Sequence, residues 1–368
     1  MKKALILITL LTKLLTADTM WQGTIGKSKI YLSLPCDPSV KNDKKCSTAS
    51  KYFFYGHYFY ASSLQNIILS KVFVTKNNLA YKIQVINQGK IEEEFDLTYK
   101  NQQFKGFWSH NGKKLLVKLK KIKKIEDEIK EKHLAFKRLK VEKIKSLKKE
   151  LVWIEEKHTN LKMFRLGNGF NAKVRNKLNP LFDKMQTEEA LAILGCSDGA
   201  YNRGMSANDY QVVYLSNDIL SLSHSASWYC DGLAHPSFGT SYKVFDLHSG
   251  KKYELEDLVT FAKKVPKKSD EYNEKWYHYT DVIRAKKLRE LAFKAQNKPL
   301  KAMPSPDTYD PYDLTHWSSE DWVYTSKGIE IFLNFCEADR CFRGDSFLIP
   351  FSLLAPYKNK AFPYEFKR

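Results

Sequence analysis

The chain has 368 residues and a mass of 42.8 kDa, which allows two or three domains with a sizeable core. Hydrophobic residues make up 43% and aromatic residues 14%, which excludes a disordered or collagen-like chain. The chain also lacks an internal apolar run of the roughly 18 residues that a membrane-spanning helix needs, which excludes a polytopic membrane protein.

The first residues predict a secretory signal peptide over residues 1–17. Lys2 and Lys3 form a positive start, and a short apolar stretch runs from Ala4 to Leu15. The alternative is a buried N-terminal helix, which should show polar positions at helical spacing. We therefore expect an exported protein, periplasmic or secreted, with no integral membrane span once the signal is cleaved.

Positive charge is concentrated in one segment of the chain. Residues 113–162 hold 18 Lys/Arg against 8 Asp/Glu, whereas residues 163–368 hold 28 against 26, within a formal net charge of +20. Because the largest segment is nearly neutral, the charge pattern argues against a general nucleic-acid partner.

Residues 18–120 are predicted to form a small all-β domain. Seven candidate strands alternate apolar and polar residues, and turn signals such as Asn77-Asn78 and Asn111-Gly112 separate them. The candidate strands are Thr24–Leu34, Tyr52–Tyr60, Leu64–Val74, Leu79–Ile86, Ile91–Thr98, Gln103–Trp108 and Leu115–Leu119. This spacing indicates an antiparallel barrel or sandwich, with short hairpins that fit an up-and-down meander.

Residues 121–162 are predicted to form one long, charged linking α-helix. Apolar residues from Ile122 to Leu161 follow mostly at steps of three, four or seven, and neither Gly nor Pro occurs before Gly167. A solvated spacer is favoured over a coiled-coil dimer because the heptad register slips. The lysines of this helix could bind an anionic envelope polymer.

Residues 163–368 are predicted to form an α+β domain, in which two groups of strands are separated by helices. Predicted strands include Asp209–Ser216, Asp218–Cys230 and Ser241–Leu247, with Trp322–Ser326, Gly328–Phe335 and Ser346–Phe351 closing the domain. The fold class is therefore multidomain: an N-terminal β domain, a linking helix and a C-terminal α+β domain.

Several separated motifs of this last segment occur in the order found in a known family. They are Asp218–Ser223, Trp228–Pro236, Phe245–Lys252, Leu255–Leu258, Trp322–Ile329 and Ile349–Tyr357. Over about residues 165–358 the chain resembles the RsiV-like domain. That domain is the extracytoplasmic part of lysozyme-sensing anti-sigma factors and accompanies peptidoglycan deacetylases. Asp231-Gly232-Leu233-Ala234-His235 departs from the Gly-Gly-Ala-His of the family.

The resemblance implies a binding or accessory module of the cell envelope. The partners it implies are a lysozyme-like protein or a peptidoglycan or glycan ligand. The chain carries no recognisable sigma-binding segment or deacetylase motif, so neither signalling nor deacetylation follows from the resemblance. The sequence predicts a binding protein without catalytic activity.

The six cysteines are an even number, which in an exported chain favours disulfides. Sequence proximity favours Cys36–Cys46 and Cys336–Cys341, which leaves Cys196–Cys230. The alternative is a zinc site, but the chain has no CxxC pair. No metal and no cofactor is predicted.

Two groups of residues are candidates for ligand binding. The first group is Trp228, Tyr229, Asp231 and His235; the second is Tyr309, Tyr312, Trp317 and Trp322. Aromatic faces stack on sugars or anchor a protein partner, but the second group would also suit a core beneath a long loop. Asp310, Asp313 and His316 beside it are read as turn residues rather than metal ligands.

His235 with a nearby acid is the basis of the alternative function, an envelope hydrolase that acts on cell-wall glycan or peptide. A thiol nucleophile at Cys230 would need a free thiolate, which export disfavours. A structural loop at Gly232–Pro236 is the favoured interpretation, and no catalytic residue is predicted.

Overall fold

The computed structural model describes residues 19–35, 37–38, 56–74, 80–87, 89–196, 204–230, 236–268, 273–296, 313–318, 321–337 and 340–366. Within these residues the chain is mostly β, and its strands form antiparallel sheets. None of the helices in these ranges is long and apolar enough to span a bilayer. The predicted signal peptide lies outside the described residues.

The N-terminal strands form one large curled sheet. They are β1 (Thr19–Ile25), β2 (Ser28–Leu34), β3 (His57–Tyr60), β4 (Ile67–Ile68), β5 (Lys71–Val74), β6 (Ala80–Asn87), β7 (Lys90–Lys100), β8 (Gln103–His110) and β9 (Lys113–Lys121). The order across the sheet is β4-β3-β2-β1-β9-β8-β7-β6-β5. Its two edge strands, β4 and β5, are consecutive in the chain, so the sheet curls round a shared core.

Alternation along each strand fills that core. On β7, Phe95, Leu97 and Tyr99 are buried, while Asp96 and Thr98 between them are exposed. The antiparallel sheet predicted for this segment is confirmed. The predicted strand Thr24–Leu34 is wrong, because the chain turns at Gly26, whose φ is +58°, and runs back as β2.

The predicted linking helix over residues 121–162 is wrong. This segment holds only one short helix, α1 (Glu126–Glu131), and then β10 (Phe136–Ile144), a 3₁₀ turn at Lys145–Leu147, β11 (Lys149–Glu156) and β12 (Lys162–Leu166). Two turns reverse the chain within the segment that was predicted to be helical. Each contains a residue at positive φ, Lys148 in the first and Asn160 in the second. Neither turn contains a glycine that would indicate it in the sequence. The apolar residues follow at helical spacing, so the sequence pattern predicted a helix.

The C-terminal part combines two further sheets with several helices. Its strands are β13 (Gly204–Leu215), β14 (Ile219–Tyr229), β15 (Ser237–Asp246), β16 (Lys252–Tyr253), β17 (Trp322–Tyr324), β18 (Gly328–Glu337) and β19 (Arg340–Pro350). The helices are α2 (Ala172–Gly195), α3 (Leu255–Leu258), α4 (Glu274–His278), a π-helical segment Tyr279–Arg284, α5 (Ala285–Ala295) and α6 (Phe351–Leu354), with 3₁₀ turns at Leu314–Trp317 and Ala355–Tyr357.

The sheet β13-β14-β15-β16 lies between two cores. Leu220 and Leu222 of β14 pack with α2, β11 and β12, whereas Ile219 packs with β17–β19 and α5. Successive residues of one strand therefore face opposite layers. Along α2, one stripe of residues including Val174, Leu178 and Phe182 covers the first of these cores.

A buried lysine joins the curled sheet to the rest of the molecule. Lys130 of α1 is 1% exposed, pairs with Glu126 at 2.7 Å, and donates to Asn66 Oδ1 at 2.8 Å and to the Leu194 carbonyl at 3.0 Å. Burial lowers the pKa of Lys130. Since these partners belong to α1, to the loop between β3 and β4 of the curled sheet and to α2, a single ammonium group connects three parts of the fold.

Candidate functional site

The candidate site is a cleft between the C-terminal half of α2 and the sheet β13–β14–β15. Its volume is about 470 Å³. Cys196, which ends α2, forms a disulfide with Cys230, which follows β14, and the two Cα atoms are 4.7 Å apart. This disulfide is the predicted Cys196–Cys230 pair, and it fixes the end of the helix beside the ends of the strands.

Three polar side chains meet at the cleft. His224 Nε2 donates to Asn208 Oδ1 at 2.9 Å, and Asn208 Nδ2 donates to Glu189 Oε1 at 2.5 Å. Glu189 Oε1 also lies 3.7 Å from His224 Nε2. Because the amide nitrogen of Asn208 is directed to the carboxylate, its oxygen must accept the proton of Nε2, which leaves His224 Nδ1 as an acceptor in the neutral ring.

The surroundings keep His224 in its neutral form. Burial lowers the pKa of His224 and Lys243 adds to that effect, while Glu189 opposes it. The imidazole stacks on the Tyr210 ring with centroids 4.3 Å apart. Burial next to Glu189 raises the pKa of Tyr210. The neutral imidazole of His224 and the carboxylate of Glu189 give the cleft two hydrogen-bond acceptors.

The rest of the cleft is mainly apolar. Trp228, Met205, Ala192 and Ala226 line it, together with the disulfide at Cys230. Ser241 adds a hydroxyl on β15, where its register places it directly opposite His224. A concave apolar surface with a few fixed polar groups is typical of small-ligand sites.

A second cavity, of about 520 Å³, lies beside Asp246, whose hydrogen bonds hold the surrounding chain segments together. Asp246 is 3% exposed and accepts hydrogen bonds from Tyr253 Oη at 2.5 Å and Tyr364 Oη at 2.6 Å. The backbone N–H groups of His248 and Ser249 donate to its other oxygen. These four donors tie the C-terminal residues to the turn after β15.

Some of the predicted site residues lie at or near the cleft, and others lie outside the described residues. Trp228 lines the cleft, and Tyr229 follows it at the end of β14, paired with Gly204. Asp231, His235, Tyr309 and Tyr312 lie outside the described residues. Cys36 and Cys46 also lie outside them, and Cys336 and Cys341 are backbone partners across the β18–β19 hairpin.

Trp317 and Trp322 are core residues, which corrects their prediction as ligand-binding aromatics. Trp317 is 0% exposed and its ring lies 4.9 Å from that of Phe347, while Trp322 is 5% exposed on β17. Both belong to the core on the far side of the sheet from the cleft. Asp313 accepts a hydrogen bond from the Thr315 N–H and caps the turn that positions Trp317.

Glu189, Asn208 and His224 were not predicted as site residues. They come together because β13 and β14 pair with Asn208 next to His224, and because the disulfide holds the end of α2 above both strands. In the sequence, the one signal for this site was the alternation of polar residues along β14. That alternation does not distinguish His224 from a residue that merely faces solvent.

Comparisons with known proteins add little to this geometry. No family model matches the chain, and no curated protein matches it. Among solved structures, a DUF3298 family protein from Pseudomonas aeruginosa PAO1 is similar, with 14% identity and a TM-score of 0.30. The match covers 62% of this chain and 96% of that protein.

Proposed function

We propose that the chain is an exported, non-catalytic binding protein of the cell envelope, and that the cleft holds a short glycan or peptide portion of peptidoglycan. The curled sheet and the C-terminal part are two domains of this protein, and it acts in the periplasm or outside the cell. The RsiV-like resemblance of the C-terminal part supports an envelope role.

The observation that carries the proposal is the pairing of an apolar wall with fixed polar groups in one cleft. Trp228 offers an aromatic face, and His224, Asn208 and Glu189 hold one another in place. Sugar rings present one apolar face and many hydroxyls, which suits such a surface. The volume of about 470 Å³ is in the range of small-ligand sites.

The polarity of the cleft indicates which groups of the ligand it receives. Glu189 and neutral His224 accept hydrogen bonds, and the hydroxyl of Ser241 accepts or donates one. We therefore expect hydroxyl and amide N–H groups of the ligand to lie over Glu189, Asn208 and His224, which we call the polar trio. An apolar face of the ligand should lie on Trp228.

The polar trio is better suited to binding than to catalysis. The hydrogen bond of His224 Nε2 ends on a neutral amide, so Asn208 orients the ring without adding a charge that would make it a stronger base. The alternative proposal, a hydrolase acting through His235, concerns a residue outside the described part of the chain. A lysozyme-like protein is the second ligand that the family resemblance suggests.

Isothermal titration calorimetry with a soluble disaccharide–peptide fragment of peptidoglycan tests the proposal. We expect saturable binding that Trp228→Ala weakens at least about tenfold, because the aromatic face of the cleft is lost. The matched control is Phe238→Ala. Phe238 is 52% exposed on the paired strand β15 but is not among the residues that line the cleft.

Three results would contradict this account. The fragment fails to bind the folded wild-type protein, or both variants lose the same affinity, or the fragment is turned over during the titration. A parallel titration with a lysozyme separates the two ligands, since binding of lysozyme alone would replace the glycan by a protein partner.

A further inference from the structure

A strongly basic surface covers the outward side of β8 and β9. It consists of four lysines around an apolar pair, and we call it the lysine face; its members are Lys105, Lys114, Lys118, Lys120, Phe107 and Leu116. All six residues are exposed. The proposed binding cleft does not include any of them, so this surface needs its own explanation.

The strand register brings these side chains together. Lys105 is paired directly with Lys118, and Phe107 is paired directly with Leu116 on the same side of the sheet. Directly paired side chains in a sheet are roughly 5 Å apart at Cβ, and like charges placed there destabilise the sheet. The fold therefore gains nothing from the pairing of Lys105 with Lys118.

The positive charge is offset only in part by the neighbouring strand, where Asp96 of β7 is paired directly with Phe107. In the ranges that the structure describes, no carboxylate lies within ion-pair distance of Lys105, Lys118 or Lys120. The basic surface continues across β1, where Thr24 separates Lys118 from Lys29. Beyond Lys29, close approach of Lys132 lowers the pKa of Lys124, and Lys29 adds to this effect while Glu128 opposes it.

The apolar pair at the centre is accessible to solvent. Phe107 is 43% exposed and Leu116 is 47% exposed. Lys114 Nζ lies 4.5 Å from the centroid of the Phe107 ring, so this lysine packs beside the apolar pair. Because the core of the curled sheet lies on its inner side, the lysine face is the outer, convex side of the curl.

Its shape and charge select one kind of partner. A linear polyanion is usually held in a groove that follows its backbone, whereas a bilayer surface is met by a protruding patch of apolar side chains ringed by lysines. We propose that the lysine face docks the protein on a lipid bilayer that carries anionic headgroups, with Phe107 and Leu116 entering the interfacial region.

Co-sedimentation with vesicles tests this inference independently of the cleft. The full chain is mixed with vesicles of equal parts phosphatidylglycerol and phosphatidylcholine, or of phosphatidylcholine alone. We expect binding to the anionic vesicles alone, and weaker binding as salt rises from about 50 mM to about 500 mM. The variant Lys105→Gln/Lys118→Gln/Lys120→Gln should bind about a hundredfold more weakly, since each lysine contributes about fivefold.

The matched control removes the same charge from another surface. The variant Lys263→Gln/Lys264→Gln/Lys286→Gln changes exposed lysines of the C-terminal part and should lose less than about fivefold. Phe107→Ser/Leu116→Ser should remove the binding that persists at high salt. The inference is overturned if anionic vesicles do not bind, if both triple variants weaken equally, or if polyphosphate or an oligonucleotide binds while vesicles do not.

Discussion

At the scale of single residues, Asp246 has the clearest energetic role. Burial alone would raise the pKa of this carboxyl, but the hydrogen bonds from Tyr253, Tyr364 and two backbone N–H groups outweigh it and lower the pKa from 3.8 to about 2. Since the folded state lowers the pKa, the ionised carboxylate stabilises the fold above its ordinary pKa, and this contribution disappears as the pH falls through 2.

Asp246→Asn should therefore lower the free energy of unfolding by about 2 kcal/mol at pH 7, because the amide nitrogen cannot accept two of the four hydrogen bonds. Urea unfolding at pH 7 and at successively lower pH measures the difference between wild type and variant. That difference should shrink as the pH approaches 2. Asp96→Asn, on the exposed side of β7, is the control. An equal difference at every pH would contradict the assignment.

The contact between the three residues of the polar trio could not be predicted from the residues that flank each of them in the sequence. Glu189, Asn208 and His224 are distant in the chain and belong to a helix and two strands. Their contact depends on the β13–β14 register, which contains a bulge between Val212 and Tyr214, on the hairpin-turn side of Asn208 and His224. A bulge shifts the register by one residue, so the alternating pattern alone could not place Asn208 beside His224.

At the scale of elements, turns decided which predictions succeeded. The hairpins of the curled sheet were predicted where Asn-Gly marks the turn, as at Asn111-Gly112 between β8 and β9. The hairpin between β10 and β11 was not predicted, because the residue of its turn in the left-handed region is Lys148 and not the glycine of an Asn-Gly pair. Cross-strand contacts unseen in the sequence stabilise that hairpin, such as the hydrogen bond from Trp153 Nε1 to Glu142.

The disulfide between Cys196 and Cys230 should stabilise both the fold and the cleft. It closes a segment with a sequence separation of 34, so Cys196→Ala/Cys230→Ala should lower the free energy of unfolding by about 3.8 kcal/mol in the chain-entropy treatment. Denaturant unfolding of the oxidised proteins measures this loss. Since Glu189 and Ala192 lie just before Cys196, we also expect weaker ligand binding. Unchanged stability and affinity would contradict this role.

At the scale of the whole molecule, two surfaces with different chemistry lie on two connected parts. The cleft is formed by α2 and β13–β15, while the lysine face belongs to the curled sheet. Lys130 and its partners connect these parts, since the ammonium group bonds both Asn66 and the Leu194 carbonyl near the end of α2. This arrangement suits a protein that is held at a membrane surface by one part and binds its ligand with the other.

Amide hydrogen exchange with and without the disaccharide–peptide fragment of peptidoglycan is the most direct test of the central claim, that the cleft is the ligand site. The account predicts slower exchange in the C-terminal half of α2 and in the paired ends of β13, β14 and β15, with β7–β9 unchanged. Protection confined to another surface, or none at saturating fragment, would contradict it.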